Sequence, residues 1–197
     1  AEETAAEDLL AATTGDFQVA SVNPDQSLSE RLNSVAQNHK GTKTYGIAGF
    51  LAASALYDER KYEEAAKAFE AFHGTEAGLG PLAAAVQFGW AAALDASGDT
   101  QGAKERYQKV VDEHGKTAEA TQARVALAKL ILAQAEPDKA VAKDLLVAAS
   151  QESQVRRIQG ILDFWGREAE RLLAPLNVAT PEPSEAPKEE APESSEE

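Results

Sequence analysis

Two residue types are missing altogether: the chain has no cysteine and no methionine. Without thiols it can form no disulfide, no zinc–thiolate site and no cysteine nucleophile. Lacking even an initiator methionine, it reads as a processed product. Ala1-Glu2-Glu3 is a typical start after small-residue cleavage of an exported protein. Excision of an N-terminal membrane anchor fits equally, and tag removal from a cytoplasmic protein is the alternative. The expectation is a location outside the cytoplasm. Aromatics are sparse, at 6%. No apolar run reaches the length of a membrane span, roughly 18 residues or more. No stretch of Val, Ile and Thr alternates with period two, which argues against a sheet. Basic stripes are absent too. Six acids and no base fall in residues 1–27, and seven acids with one lysine in 180–197. The net charge of −14 therefore belongs to the ends. Such a chain repels phosphate backbones, so no nucleic-acid partner is expected.

What is present is alanine at helical spacing. The hydrophobic share of 43% is ordinary but alanine-rich, and it predicts an all-α fold with closely approaching helices. In the stretch from Ala83 to Glu113, Val86, Trp90 and Leu94 share one face of a helix, and Ala103, Tyr107 and Val110 share one face of a second. Ser97-Gly98-Asp99 lies between them. Gly98 can take the positive φ that ends a helix, and Asp99 can cap the next. The hairpin recurs upstream at a constant offset of 38: Ala53 matches Ala91, Leu56 matches Leu94, Ala65 matches Ala103, and Phe69 matches Tyr107. A weaker third copy places Ala128 and Ile131 at an offset of 37, followed by an irregular turn at 135–138 and by Ala142 and Leu146. Helical pairs repeating at this period predict a solenoid.

The small residues Ala53 and Ala91, the turn-then-alanine at Ala65 and Ala103, and the aromatics Phe69 and Tyr107 resemble tetratricopeptide repeats. These repeats are longer than the roughly 34 residues usual in that family, and no proline closes either one. The resemblance implies a helical-hairpin solenoid of two clear repeats and one degenerate repeat, with N-terminal lead helices and a C-terminal cap. Residues 1–26 are expected to form an acidic segment of short helix and loop, 27–176 the helical domain, and 177–197 a disordered acidic tail rich in Pro, Glu and Ser. Ser27-x-x-Glu30 is a capping-box pattern. Ser153 is expected to cap a long final helix ending near Leu173, with Val155, Ile158, Leu162, Trp165, Ala169 and Leu172 on one seam. Trp165 is expected to anchor that cap rather than to bind a ligand.

No constellation for catalysis emerges. His39, His73 and His114 fall near helix ends or loops, outside any His-Glu-x-x-His spacing. The glycine-rich stretch 74–80 lacks the Gly-Lys-Ser/Thr ending of a phosphate loop and reads as a connection between repeats. Ser54 lacks a nucleophile-elbow pattern. Neither enzyme activity, nor a cofactor, nor a metal is expected.

In tetratricopeptide proteins the first helix of each pair lines a concave groove. The resemblance assigns Phe50, Ser54 and Tyr57 to that groove in repeat one and Phe88, Ala92 and Asp95 in repeat two. The third copy, taken at its offset of 37, adds Val125, Lys129 and Leu132. This surface suits a protein or peptide partner. In the competing reading, Phe50 and Phe88 are covered by the N-terminal or the final helix.

A closer likeness runs from about Leu32 to Ala103. The lead helix ending in Gln37-Asn38-His39-Lys40-Gly41, then Thr44-Tyr45-Gly46-Ile47-Ala48, then the Leu51–Phe69 hairpin, resembles the periplasmic part of the YfgM-like ancillary SecYEG translocon subunits of Gram-negative bacteria. That family implies an N-terminal membrane anchor, absent from this chain, a periplasmic site of action, and association with the translocon and periplasmic chaperones. Tyr107-Gln108-Lys109-Val110-Val111 resembles segments of YbgF-like cell-division coordinators, which imply an envelope-assembly role instead. Neither family supplies catalytic residues.

Overall fold

The computed structural model describes residues 1–15, 23, 25–73, 80–158, 160 and 163–177. Among the described residues the chain forms helices and no strands. In order these are α1 (Glu2–Thr14), α2 (Leu28–Asn38), α3 (Lys43–Asp58), α4 (Tyr62–His73), α5 (Ala83–Ser97), α6 (Thr100–Glu113), α7 (Ala118–Leu132), α8 (Lys139–Ile158) and α9 (Phe164–Asn177).

Local chemistry sets the boundaries. Ser27 Oγ accepts from the Glu30 amide while Glu30 accepts from the Ser27 amide at 2.8 Å, so the capping box at α2 is complete. Thr42 and Thr117 cap α3 and α7 through their hydroxyls alone. Gly98 ends α5 at φ 91°, and Asp99 accepts from the Gly102 amide at 2.9 Å to open α6. Each such cap satisfies a backbone donor that the helix itself leaves orphaned, and is worth about 1 kcal/mol.

Every helix packs on the next in the chain. Further contacts reach one helix beyond: α1 on α3, α3 on α5, α5 on α7, and α7 on α9. The odd-numbered helices thus make a continuous row, and the even-numbered ones touch only their odd-numbered chain neighbours. The equivalences between the two hairpins hold in the packing. Ala53, Ala91, Ala65 and Ala103 are fully buried, and Phe69 and Tyr107 nearly so. Glycines bring the helices closest. A Cβ on Gly49 would fall within the Phe72 ring, and one on Gly89 within 2.6 Å of two Phe69 ring atoms. The N-terminal helix joins this body. Ala5 and Ala12 are buried, Asp8 pairs with His39 at 2.7 Å, and Arg31 donates to the Ala12 carbonyl.

The C-terminal part differs from the expectation of one long final helix starting at Ser153. Helix α8 runs from Lys139 through Ser153 to Ile158, and α9 starts afresh at Phe164. Gly160 at φ 79° breaks the run, and Asp163 Oδ1 accepts from the amides of Trp165 and Gly166. Ser153 caps nothing; it is fully buried against Gly166. The expected seam therefore divides. Ala169 is buried and Leu172 and Trp165 pack on the core, but Val155 and Ile158 are exposed. Leu162 lies outside the described residues, as do the glycine-rich stretch up to residue 79 and the acidic tail from residue 178.

Candidate functional site

A cleft of about 560 Å³ opens on the row formed by α3, α5, α7 and α9. Its floor is built twice over from the same pairing. Phe50 of α3 meets Phe69 of α4 with ring centroids 6.2 Å apart, and Phe88 of α5 meets Tyr107 of α6 at 5.6 Å. Both pairs are tilted, at 58° and 51°, and stand one repeat apart. In each, the second-helix ring is buried and the first-helix ring remains partly open to the cleft. Ala85, Gly89, Ala92, Ala126 and Leu130 complete an apolar surface.

Seven expected groove residues line this cleft together: Phe50, Ser54, Tyr57, Phe88, Ala92, Asp95 and Lys129. Ser54 contributes little polarity, because its hydroxyl donates to the Phe50 carbonyl of its own helix at 2.9 Å. Val125 and Leu132 do not line it. Val125 is fully buried among Ala128, Ala142 and Leu146, and Leu132 packs against that same core. The cleft-facing row of α7 is Gln122, Ala126 and Lys129, which match Phe88, Ala92 and Asp95 at an offset of 34. An offset of 37 is three residues too long, and three residues rotate a helical face by about 60°. Lys129 belongs to both registers and is placed correctly by either.

The polar groups sit at the rim. Tyr57 and Tyr62 meet edge to face at 5.1 Å. Burial, with Tyr62, Asp95 and Asp58 nearby, raises the Tyr57 hydroxyl above the usual phenol range. Burial alone raises the Asp95 carboxyl. The Tyr107 hydroxyl is raised too, again mainly by burial. Across the cleft, Lys129 stands 5.9 Å over the Trp165 ring and 2.8 Å from Glu168. Glu168 also takes both guanidinium contacts of Arg171, and these hydrogen bonds lower its carboxyl to about 2. Trp165, Asp58, Glu119 and Gln122 are cleft residues that sequence reasoning did not assign there. Trp165 packs against the core, as expected of an anchor, but also walls the cleft.

The histidines are placed apart from this surface. His39 ends α2 and binds Asp8, His114 ends α6, and His73 lies 5.6 Å from the Trp90 ring, where burial lowers its imidazole. Among the described residues no group of three or more His, Asp or Glu side chains is arranged to hold a metal ion, and no helix is long and apolar enough to cross a membrane.

No protein-family model, curated protein or solved structure matches the chain.

Proposed function

We propose that this chain is a non-enzymatic protein-interaction module, a tetratricopeptide-like array that holds a protein or peptide segment in the α3–α5–α7–α9 cleft. One observation carries the reading: an open, apolar cleft whose aromatic floor is repeated one hairpin later, with Phe50 and Phe88 both partly open to it. Apolar clefts with a few polar rim groups are the usual form of a binding site. Helical grooves of this kind take amphipathic helices or extended peptides through spaced apolar anchors. By its resemblance to YfgM-like subunits, the module acts in the bacterial periplasm beside the translocon and its chaperones.

Phe50→Asp and Phe88→Asp test the reading. Each puts a charge on the cleft floor at a ring that is only half-buried. The expected outcome is loss of partner co-purification from the native host with unchanged helical circular dichroism. Retained co-purification by both folded variants would contradict it.

A further inference from the structure

The proposed cleft has an unbalanced charge pattern that says what its occupant must carry. Asp58, Asp95 and Glu119 line it, and among the described residues Lys129 is the sole lining cation. Lys129 is already committed: Glu168 holds its ammonium at 2.8 Å on the Trp165 side. The Asp58 and Asp95 carboxylates have no ion-pair partner among the described residues.

The backbone adds to this imbalance. Tyr57 and Asp58 are the last residues of α3, and Asp95 lies in the last turn of α5. Both helix ends face the same cleft: Tyr57, Asp58 and Asp95 all line it, and α3 and α5 are in contact. A helix C-terminus carries partial negative charge and ordinarily gathers Lys, Arg or His. Neither last turn holds a basic residue; Arg60 and Lys61 follow just past α3 but do not line the cleft, and Lys61 is held by Glu59 at 2.8 Å. Two helix C-terminal ends and two carboxylates therefore line one apolar cleft, with no uncommitted cation among its described lining residues. The Asp95 carboxylate is there at a cost, being partly desolvated. The Tyr57 ring, which lines the cleft beside them, can hold a cation as well.

Resting on the cleft being a binding site, we infer that its occupant is a peptide segment with apolar anchors for the Phe50 and Phe88 floor and an adjoining lysine or arginine that seats between Asp58, Asp95 and Tyr57. The chain's own C-terminal stretch is a poor candidate. Residues 180–197 contain seven acids, one lysine and no large apolar side chain, so this corner repels them.

A displayed library of random peptides of roughly 12 residues, long enough when extended to cross the cleft, tests the inference on the whole chain. Peptides are selected on the wild-type protein and depleted on Ala92→Trp, which fills the cleft without adding a charge. The surviving peptides are expected to pair apolar residues with Lys or Arg, and replacing that base by Glu to weaken binding by about tenfold or more. Asp95→Lys should invert the preference towards Asp or Glu, and the near-isosteric Asp95→Asn should reduce it. Survivors without basic enrichment, indifferent to both Asp95 variants, would overturn the charge inference and leave the cleft as a binding site. An absence of peptides that distinguish wild type from a folded Ala92→Trp would overturn both.

Discussion

Among single residues, Glu168 holds the cleft's lysine, Lys129, in place. Its carboxylate receives Arg171 and Lys129 at 2.8 Å, and it is lowered to about 2 from an ordinary 4.5. A depressed carboxyl contributes stability above its unfolded pKa and loses it as pH falls through the folded one. The unfolding midpoint of wild type should therefore exceed that of Glu168→Gln above pH 4.5, and the two should converge as pH falls towards about 2. A gap that persists unchanged to the lowest pH would mean that the ion pairs are not its source. The same substitution releases Lys129 into the cleft, so it should also weaken binding of a basic peptide without touching the apolar floor.

Among elements, α8 and α9 leave no room for a side chain at Gly166. Ser153 is fully buried, and a Cβ added to Gly166 would overlap both its Oγ and its Cβ. The serine is fixed on a helix, so the backbones must separate. Gly166→Ala is expected to destabilise the chain by about 1–3 kcal/mol, as overpacked cores do, read as a lower denaturation midpoint at an unchanged denaturant slope. An unaltered midpoint would show that the two helices are not held at this distance. The same crossing shows why part of the fold was hidden in the sequence. Apolar residues keep helical spacing straight through 155–172, so periodicity alone joins what Gly160 and Asp163 separate. The helix-stop and helix-start chemistry is there, but the continuous seam outweighs it. In α7 the difficulty is alanine. With Ala118, Ala120, Ala123, Ala126 and Ala128 spread around the helix, no face stands out, and a three-residue slip moves Val125 and Leu132 from core to groove unnoticed. Where large side chains mark the faces, as Phe50 and Phe69 or Phe88 and Tyr107 do, the hairpins and their cleft residues were legible.

For the whole molecule, the row of odd-numbered helices turns separate local hairpins into one surface. No single helix builds the cleft: α3 and α5 supply its repeated floor, α7 its next strip, and α9 a wall through Trp165. This surface, and not the outer face, is expected to meet the partner. Site-specific photocrosslinking in the native host tests it most directly, with the probe at Tyr57 or Phe88 in the cleft, and at Val141, exposed on α8 outside it, as control. Protein adducts are expected at both cleft positions and none at Val141, with loss of the cleft adducts when Ala92→Trp is added. Adducts at Val141 with none at Tyr57 or Phe88 would contradict it.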